Sequence, residues 1–522
     1  MLRVFHRSAW LLLLSIASWV GQPPHRALAT HYFFDVNGTN GGSGVVDGGS
    51  YSWESAVWNS SSNGTGTPIN WPDGNNFPEF AAGSDANGKS YTITANANHV
   101  FAGMALQNNG GGNGAGKSVT IAGASGVVLT LFTSSPPAAQ GVFVGGTSDQ
   151  NLVITATIGG DATTPLVWQG RLSGSSGSLY LYGNNTFSGG VDLNTNAGLN
   201  FNNPNSFGTG PIRWGYNASG GTQFAIAAPD ATVPISIGNA MQTKSNSTLI
   251  MSDFAEPVTW GGAWVLDTGT STLDVRDNVD TTISGIISGT DGSSALAKIS
   301  PGKLILSNAN TYAGGTTISA GDVELAGASA KLGTGNVTVS GSGTSLTIDS
   351  GVSNALNESA TLNLGGFATM NLGSGINDRI STLVLDGAQQ PNGTYGSSQS
   401  DAVNKLDFYF SGTGILTVGP SILAGDYNND GIVNAADYVV WRKNVGQPAQ
   451  TLPNDTTGVI VGNAQYDLWR SNFGNASPAP GAGASLGSSP VPEPSLAGLL
   501  IIGFAALRFS MRNRGVQRNL PI

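Results

Sequence analysis

The hexapeptide Asn185-Thr186-Phe187-Ser188-Gly189-Gly190 returns 125 residues later as Asn310-Thr311-Tyr312-Ala313-Gly314-Gly315. At the same offset Phe207-Gly208-Thr209-Gly210 returns as Leu332-Gly333-Thr334-Gly335. Two matches at one spacing define a repeated unit. Such a unit cannot bury its apolar face alone, so copies stack and share a continuous core. Short alternating runs, among them Ser90-Tyr91-Thr92-Ile93-Thr94, Asp322-Val323-Glu324-Leu325 and Ser345-Leu346-Thr347-Ile348, read as strands with one buried face. Gly-Gly, Asn-Gly and Ser-Gly pairs punctuate them, because glycine and asparagine tolerate positive φ. Helical periodicity is nearly absent before residue 430.

The chain has no cysteine, which removes disulfides and thiolate metal sites and leaves repetitive β packing to hold it together. Only 10% of residues are charged and 76 are glycine, yet 39% are hydrophobic, too many for a disordered linker. Between 30 and 420 there are 25 Asp plus Glu against 11 Lys plus Arg, which excludes nucleic acid as a partner. The first residues have the layout of a signal peptide: Arg3 and Arg7, an apolar run from Ala9 to Val20, then the small residues Ala27 and Ala29 at a cleavage site. The mature chain is expected to begin near Thr30 and to keep only His31 and His99, so imidazole offers little general-base chemistry.

The repeated residues resemble the autotransporter-associated β-strand repeat, closely around 303–340 and more loosely around 178–212. Leu383-Val384-Leu385-Asp386-Gly387, Gly393-Thr394-Tyr395-Gly396 and Phe410-Ser411-Gly412-Thr413-Gly414 resemble the closing segment of such regions. The resemblance implies an all-β fold, a right-handed parallel β-helix over most of 30–420, while β-sandwich domains satisfy the same strand rhythm. Coils of roughly 20–25 residues stacked about 4.8 Å apart would make a rod on the order of 75 Å long. The aromatic start, with Trp53, Trp58, Trp71 and Phe77, is expected to form the capping coil. The segment after 420 does not alternate like the strands of a membrane barrel, so no self-made barrel is expected.

Asp426-Tyr427-Asn428-Asn429-Asp430-Gly431-Ile432-Val433-Asn434-Ala435-Ala436-Asp437 fits the spacing of a calcium loop. Asp426, Asn428 and Asp430, the Ile432 carbonyl, Asn434 and Asp437 are the expected oxygen ligands of one Ca²⁺, with Gly431 at the sharp turn. Tyr438 to Asn444 reads as a helix. Tyr466 to Gly474 repeats Tyr438 to Gly446 at an offset of 28, and the pair resembles a type I dockerin. The same offset places Asn454, Thr456, Gly458 and Gln465 at the second loop's ligand positions. Such a set predicts no second ion and weighs against cohesin docking.

A Pro/Gly/Ala/Ser linker, 477–490, leads to Val491, Pro492, Glu493 and Pro494, an apolar run from Leu496 to Leu507 and a basic end with Arg508, Arg512, Arg514 and Arg518. This tail, 491–522, resembles the PEP-CTERM sorting signal. The resemblance implies processing by an exosortase-type enzyme after transient membrane insertion, and a place in the envelope or extracellular matrix; a plain membrane anchor is the alternative. The domain plan is therefore a signal peptide 1–29, a solenoid 30–420, a dockerin-like module 421–476, the linker and the tail. Asp267, Asp274, Asp277 and Asp280 form the densest acidic group of the body. With Leu273 and Val275 inward, they read as a charge-compensated solvent ladder rather than a glycosidase pair. An exported structural or adhesive protein without catalysis is expected; an extracellular polysaccharide binder or polysaccharide-degrading enzyme is the alternative.

Overall fold

The computed structural model describes residues 29–106, 117–132, 140–144, 151–161, 165–170, 178–193, 198–215, 223–276, 279–419, 423–449 and 451–476. The chain divides into two compact units near residue 421. Unit 1 is a parallel β-helix, its faces formed by sheets of fifteen, eleven, eight and three described strands, with a four-stranded sheet beside them. The ladders decide against a sandwich. All are parallel except Phe33/Asn59, Val384/Gln389 and Gly393/Val418, which lie at the two ends.

Alternation builds the core. One inward column runs Val258, Thr281, Leu304, Val323, Leu346, Met370, Phe410, each residue directly beside the next and all buried. One step outward runs Thr259, Thr282, Ile305, Glu324, Thr347, Asn371, Ser411, so the same strands show water a largely polar face. Each buried Val, Leu or Met contributes about 1.5–3 kcal/mol. Coils are not uniform, however: Tyr91 pairs with Val119, Val119 with Leu152 and Leu152 with Leu179, a longer period than the expected one. Longer connections between strands consume chain without adding coils, so fifteen strands span about 65 Å rather than 75 Å.

The repeated motif marks a corner where backbones of successive coils touch. A Cβ on Gly333 would lie 2.2 Å from the Tyr312 carbonyl oxygen, and one on Gly208 would lie 2.3 Å from that of Phe187. Gly335 and Gly210 press equally closely on Ala313–Gly315 and Ser188–Gly190. Thr334 and Thr209, between these glycines, donate their N–H to the same Tyr312 and Phe187 carbonyls at 2.8 and 2.9 Å. Buried asparagines tie in a third coil. Asn310 Oδ1 accepts from Ile287 N at 2.8 Å while its Nδ2 donates to Lys331 O at 2.8 Å, and Asn185 does the same between Ile158 N and Ser206 O.

The amino-terminal cap is aromatic, as expected: Trp53, Trp58 and Trp71 are buried, and the Trp53–Trp58 and Trp58–Trp71 centroid distances are both 4.8 Å. Phe34 and Phe80 complete this cluster, whereas Phe77 stacks on His31 at 4.9 Å. Replacing Gly333 with Ala should cost at least 2–3 kcal/mol, since the clash is with backbone that cannot step aside. Gly292→Ala, whose Cβ meets nothing within 4 Å, should stay within about 0.5 kcal/mol of wild type. Thermal and urea midpoints of the two variants check this.

Candidate calcium loop and surface sites

Unit 2 is built on two helices, α1 (Ala435–Asn444) and α2 (Asn463–Asn472), related residue for residue by the offset of 28. Trp441 Nε1 donates to Gly462 O at 2.9 Å, and Trp469 Nε1 donates to Asn434 O at 2.8 Å. Val433 bonds to Gly474 and Asn475, as Val461 bonds to Gly446 and Gln447. Each half thus clasps the other half's loop. Tyr427, Trp441, Leu452 and Val461 form the small core.

Five of the six candidate ligands lie in the loop before α1, and the sixth, Asp437, lies in the helix's first turn. Asp426 Oδ1 and Oδ2 accept from Asp430 N at 3.1 Å and Gly431 N at 2.9 Å. Asp437 Oδ1 accepts from Asn428 N at 3.0 Å and Oδ2 from Asn434 N at 2.8 Å. Asn428 Nδ2 donates to Asp430 Oδ2 at 2.7 Å. Asn434 Nδ2 donates to the Ile432 carbonyl at 3.3 Å. Gly431, with φ +85°, makes the turn. Both helices start earlier than their sequence pattern suggested. Asn434 caps α1 by accepting from Ala436 N, and Asp437 closes the capping box, so Asp437 lies in the first turn.

The donor set suits a hard cation. It consists of carboxylate, amide and carbonyl oxygens, and the buried Asp426 and Asp437 have no ion-pair partner among the described residues. Among the described residues, no three acidic or histidine side chains converge on one point, because these carboxylates turn toward backbone N–H groups.

The second loop departs from the sequence reading. Asn454 does not face it but donates to Asp426 O at 2.9 Å. Gln465 is buried within it, and the residues facing Gln465 are Asp455 and Thr457 rather than Thr456 and Gly458. The loop is one residue shorter than the first, and the Asp-x-Thr spacing at 455–457 was the signal for it.

On unit 1 two members of the acidic group, Asp267 and Asp274, are charge-compensated, and the group is not uniformly solvated. Asp267 pairs with Lys244 at 3.5 Å. Asp274 is buried, not exposed, because Arg276 folds over it at 2.6 Å; Asp277 lies outside the described residues. Both ring nitrogens of His99 are engaged, Nδ1 with Asp73 at 3.1 Å and Nε2 with Glu54 at 3.2 Å. Burial pushes Glu54 up, but donors from Ser52 and Asn96 outweigh it and bring its pKa to about 2.

Two features escaped the sequence. Phe367, with φ +68°, is 66% exposed on a turn and meets Phe408, 54% exposed, at 5.7 Å. Beside them Tyr409 donates to Asp386 Oδ2 at 2.6 Å, holding Asp386 below the usual carboxylate range. A bulky residue at positive φ stores about 1–3 kcal/mol of strain, which makes the display of this ring notable. Nearer the core, Asp378 lines a cavity of about 150 Å³. Burial there raises its pKa to about 6 against donors from Leu356 N and Arg379 N.

Residues 175–196 and 296–325 match the family model described as passenger-associated-transport-repeat. These two segments of the solenoid are thus similar to passenger-associated-transport repeats. These segments hold the two hexapeptides whose carbonyls receive the Gly-Thr-Gly corners, so the repeat is the stacking contact itself. No curated protein and no solved structure matches the chain. Among the described residues no helix is long and apolar enough to cross a membrane. Ala27, the sorting residues Val491, Pro492, Glu493 and Pro494, and the apolar run after them lie outside the described residues, and Ala29 opens the described chain.

Because Asp378 binds its proton more tightly folded than unfolded, its contribution to stability is full below about pH 4 and falls as pH rises to about 6. The Asp378→Asn variant should therefore gain on wild type by up to about 3 kcal/mol between pH 4 and pH 7. Paired urea titrations at the two pH values check this.

Proposed function

We propose that this chain is an exported surface protein whose repeat solenoid is a non-catalytic spacer, followed by a module that takes one Ca²⁺ at 426–437. The observation that carries this reading is the coil-on-coil stacking of the passenger-type repeat, with an outward face of Thr, Asn and Ser. Such a stack grows by adding coils and needs no cleft. Calcium would be held by Asp426, Asn428, Asp430, the Ile432 carbonyl, Asn434 and Asp437, supplying positive charge between two buried carboxylates. The signal peptide and the PEP-CTERM-like tail fit export and exosortase-type processing into the envelope or matrix. A cohesin is not among the proposed partners.

The exposed Phe367–Phe408 pair favours a second reading, in which the solenoid also holds extracellular polysaccharide. Aromatic faces stack on the C–H face of a sugar ring, and Asp386 beside them offers a hydrogen-bond acceptor.

Calorimetry on the full chain should give one Ca²⁺ per chain, a heat that Asp430→Ala removes; an unchanged heat overturns the calcium reading. Offered a panel of polysaccharides, the chain should release no cleavage products, and new reducing ends would replace the spacer with an enzyme. Retention that falls at least fivefold in Phe367→Ala and Phe408→Ala would establish the second reading, and retention untouched by both would remove it.

A further inference from the structure

The loop before α2 has the frame of a cation loop with its centre already filled. Gln465 stands where Asp437 stands in the first half, third in its helix, and is fully buried. Its Oε1 accepts from Gly462 N at 2.8 Å, as Asp437 Oδ2 accepts from Asn434 N at 2.8 Å. Its Nε2 then faces inward. Around that nitrogen lie Asp455 Oδ2 at 3.0 Å, Thr457 Oγ1 at 2.5 Å and the Val459 carbonyl at 3.0 Å. The Thr457 hydroxyl gives its proton to Asp455 Oδ1 at 2.6 Å, so toward Gln465 it can only accept. Three oxygens therefore converge on one group that carries partial positive charge and two protons.

We propose that the Gln465 amide takes the place of a cation, holding the second loop shut without metal. The first loop needs an ion between its acids. The second keeps one carboxylate, Asp455, and satisfies it by hydrogen bonds. Seating a cation there would require the Gln465 side chain to leave the loop, breaking the three contacts of Nε2 and the cap on Gly462. The closed half also holds the metal-dependent half, because the Tyr427 hydroxyl, from between Asp426 and Asn428, donates to the Gln465 carbonyl at 2.5 Å. Calcium withdrawal should thus loosen 426–437 while 455–465 stays shut. The count of one ion rests on the calcium reading of 426–437; the closure of the second loop does not.

Hydrogen–deuterium exchange of the full chain, followed by mass spectrometry with calcium or with a chelator, separates the two. Peptides over 455–465 should exchange equally slowly in both conditions, and those over 426–437 should slow at least about tenfold with calcium. Gln465→Ala should speed exchange of the second loop by about tenfold in both conditions, the equivalent of one net hydrogen bond. Gln465→Glu, which restores a carboxylate at that point, should make the second loop calcium-dependent and raise the calorimetric count from one ion to two. A wild-type second loop protected only with calcium, or protection unchanged in Gln465→Ala, overturns the proposal. A first loop indifferent to calcium beside a second loop that stays shut overturns the calcium reading alone.

Discussion

The backbone contact between corners of successive coils governs the solenoid. Strands in a parallel helix stack about 4.8 Å apart, and the corners must come at least as close if the ladders are to stay in register. At Gly333 over Tyr312 and at Gly208 over Phe187 the approach leaves no room for a side chain. The Thr N–H between paired glycines turns that closeness into a hydrogen bond. Asn310 and Asn185 extend the tie to a third coil, and both are buried, so their four amide contacts are made away from competing water. A chain without disulfides gains from this arrangement a cross-link at each repeat. Its cost is a strict glycine requirement.

A stack of this kind has two open ends, and each is closed by other means. At the start, indole rings fill the first coil and the strand Thr30–Phe34 pairs antiparallel with Trp58–Asn59. At the far end, a hairpin at Leu385/Ala388 and the antiparallel pairing of Tyr395 with Leu416 turn the last strands back. Both devices leave less unpaired edge for another chain to add to.

The repeat was legible because it records a backbone constraint, which admits one residue type and survives drift in the strands between. The alternation of Val323, Leu325, Leu346 and Ile348 was legible for a similar reason, a period of two set by the pleat. Coil length in the first half was not, because a longer connection needs no particular residue. The burial of Asp274 escaped as well: it depends on Arg276 folding back and on the neighbouring coil, not on its place in the alternation. Helix starts were read late because the capping asparagine and the residues after it carry no apolar period. Phe367 could not be foreseen at all, since positive φ on a phenylalanine runs against local preference.

The second loop shows why an offset taken from helices cannot be carried through a loop. Helix pairing fixes 433 against 461, 441 against 469 and 446 against 474, but one residue is missing upstream, which shifts every facing residue by one. The shift fits what we propose fills each loop. In the proposed calcium-bound form, three aspartates around a divalent ion would need the longer path to place oxygens on all sides. One aspartate, a threonine hydroxyl and a carbonyl around an amide nitrogen need less, because the central group is covalently attached to the frame it closes. In our proposal the same duplicated scaffold accommodates a diffusible cation in one half and a tethered amide in the other. On that proposal, repulsion among the first loop's carboxylates would make its closure conditional, and its absence in the second would make closure intrinsic.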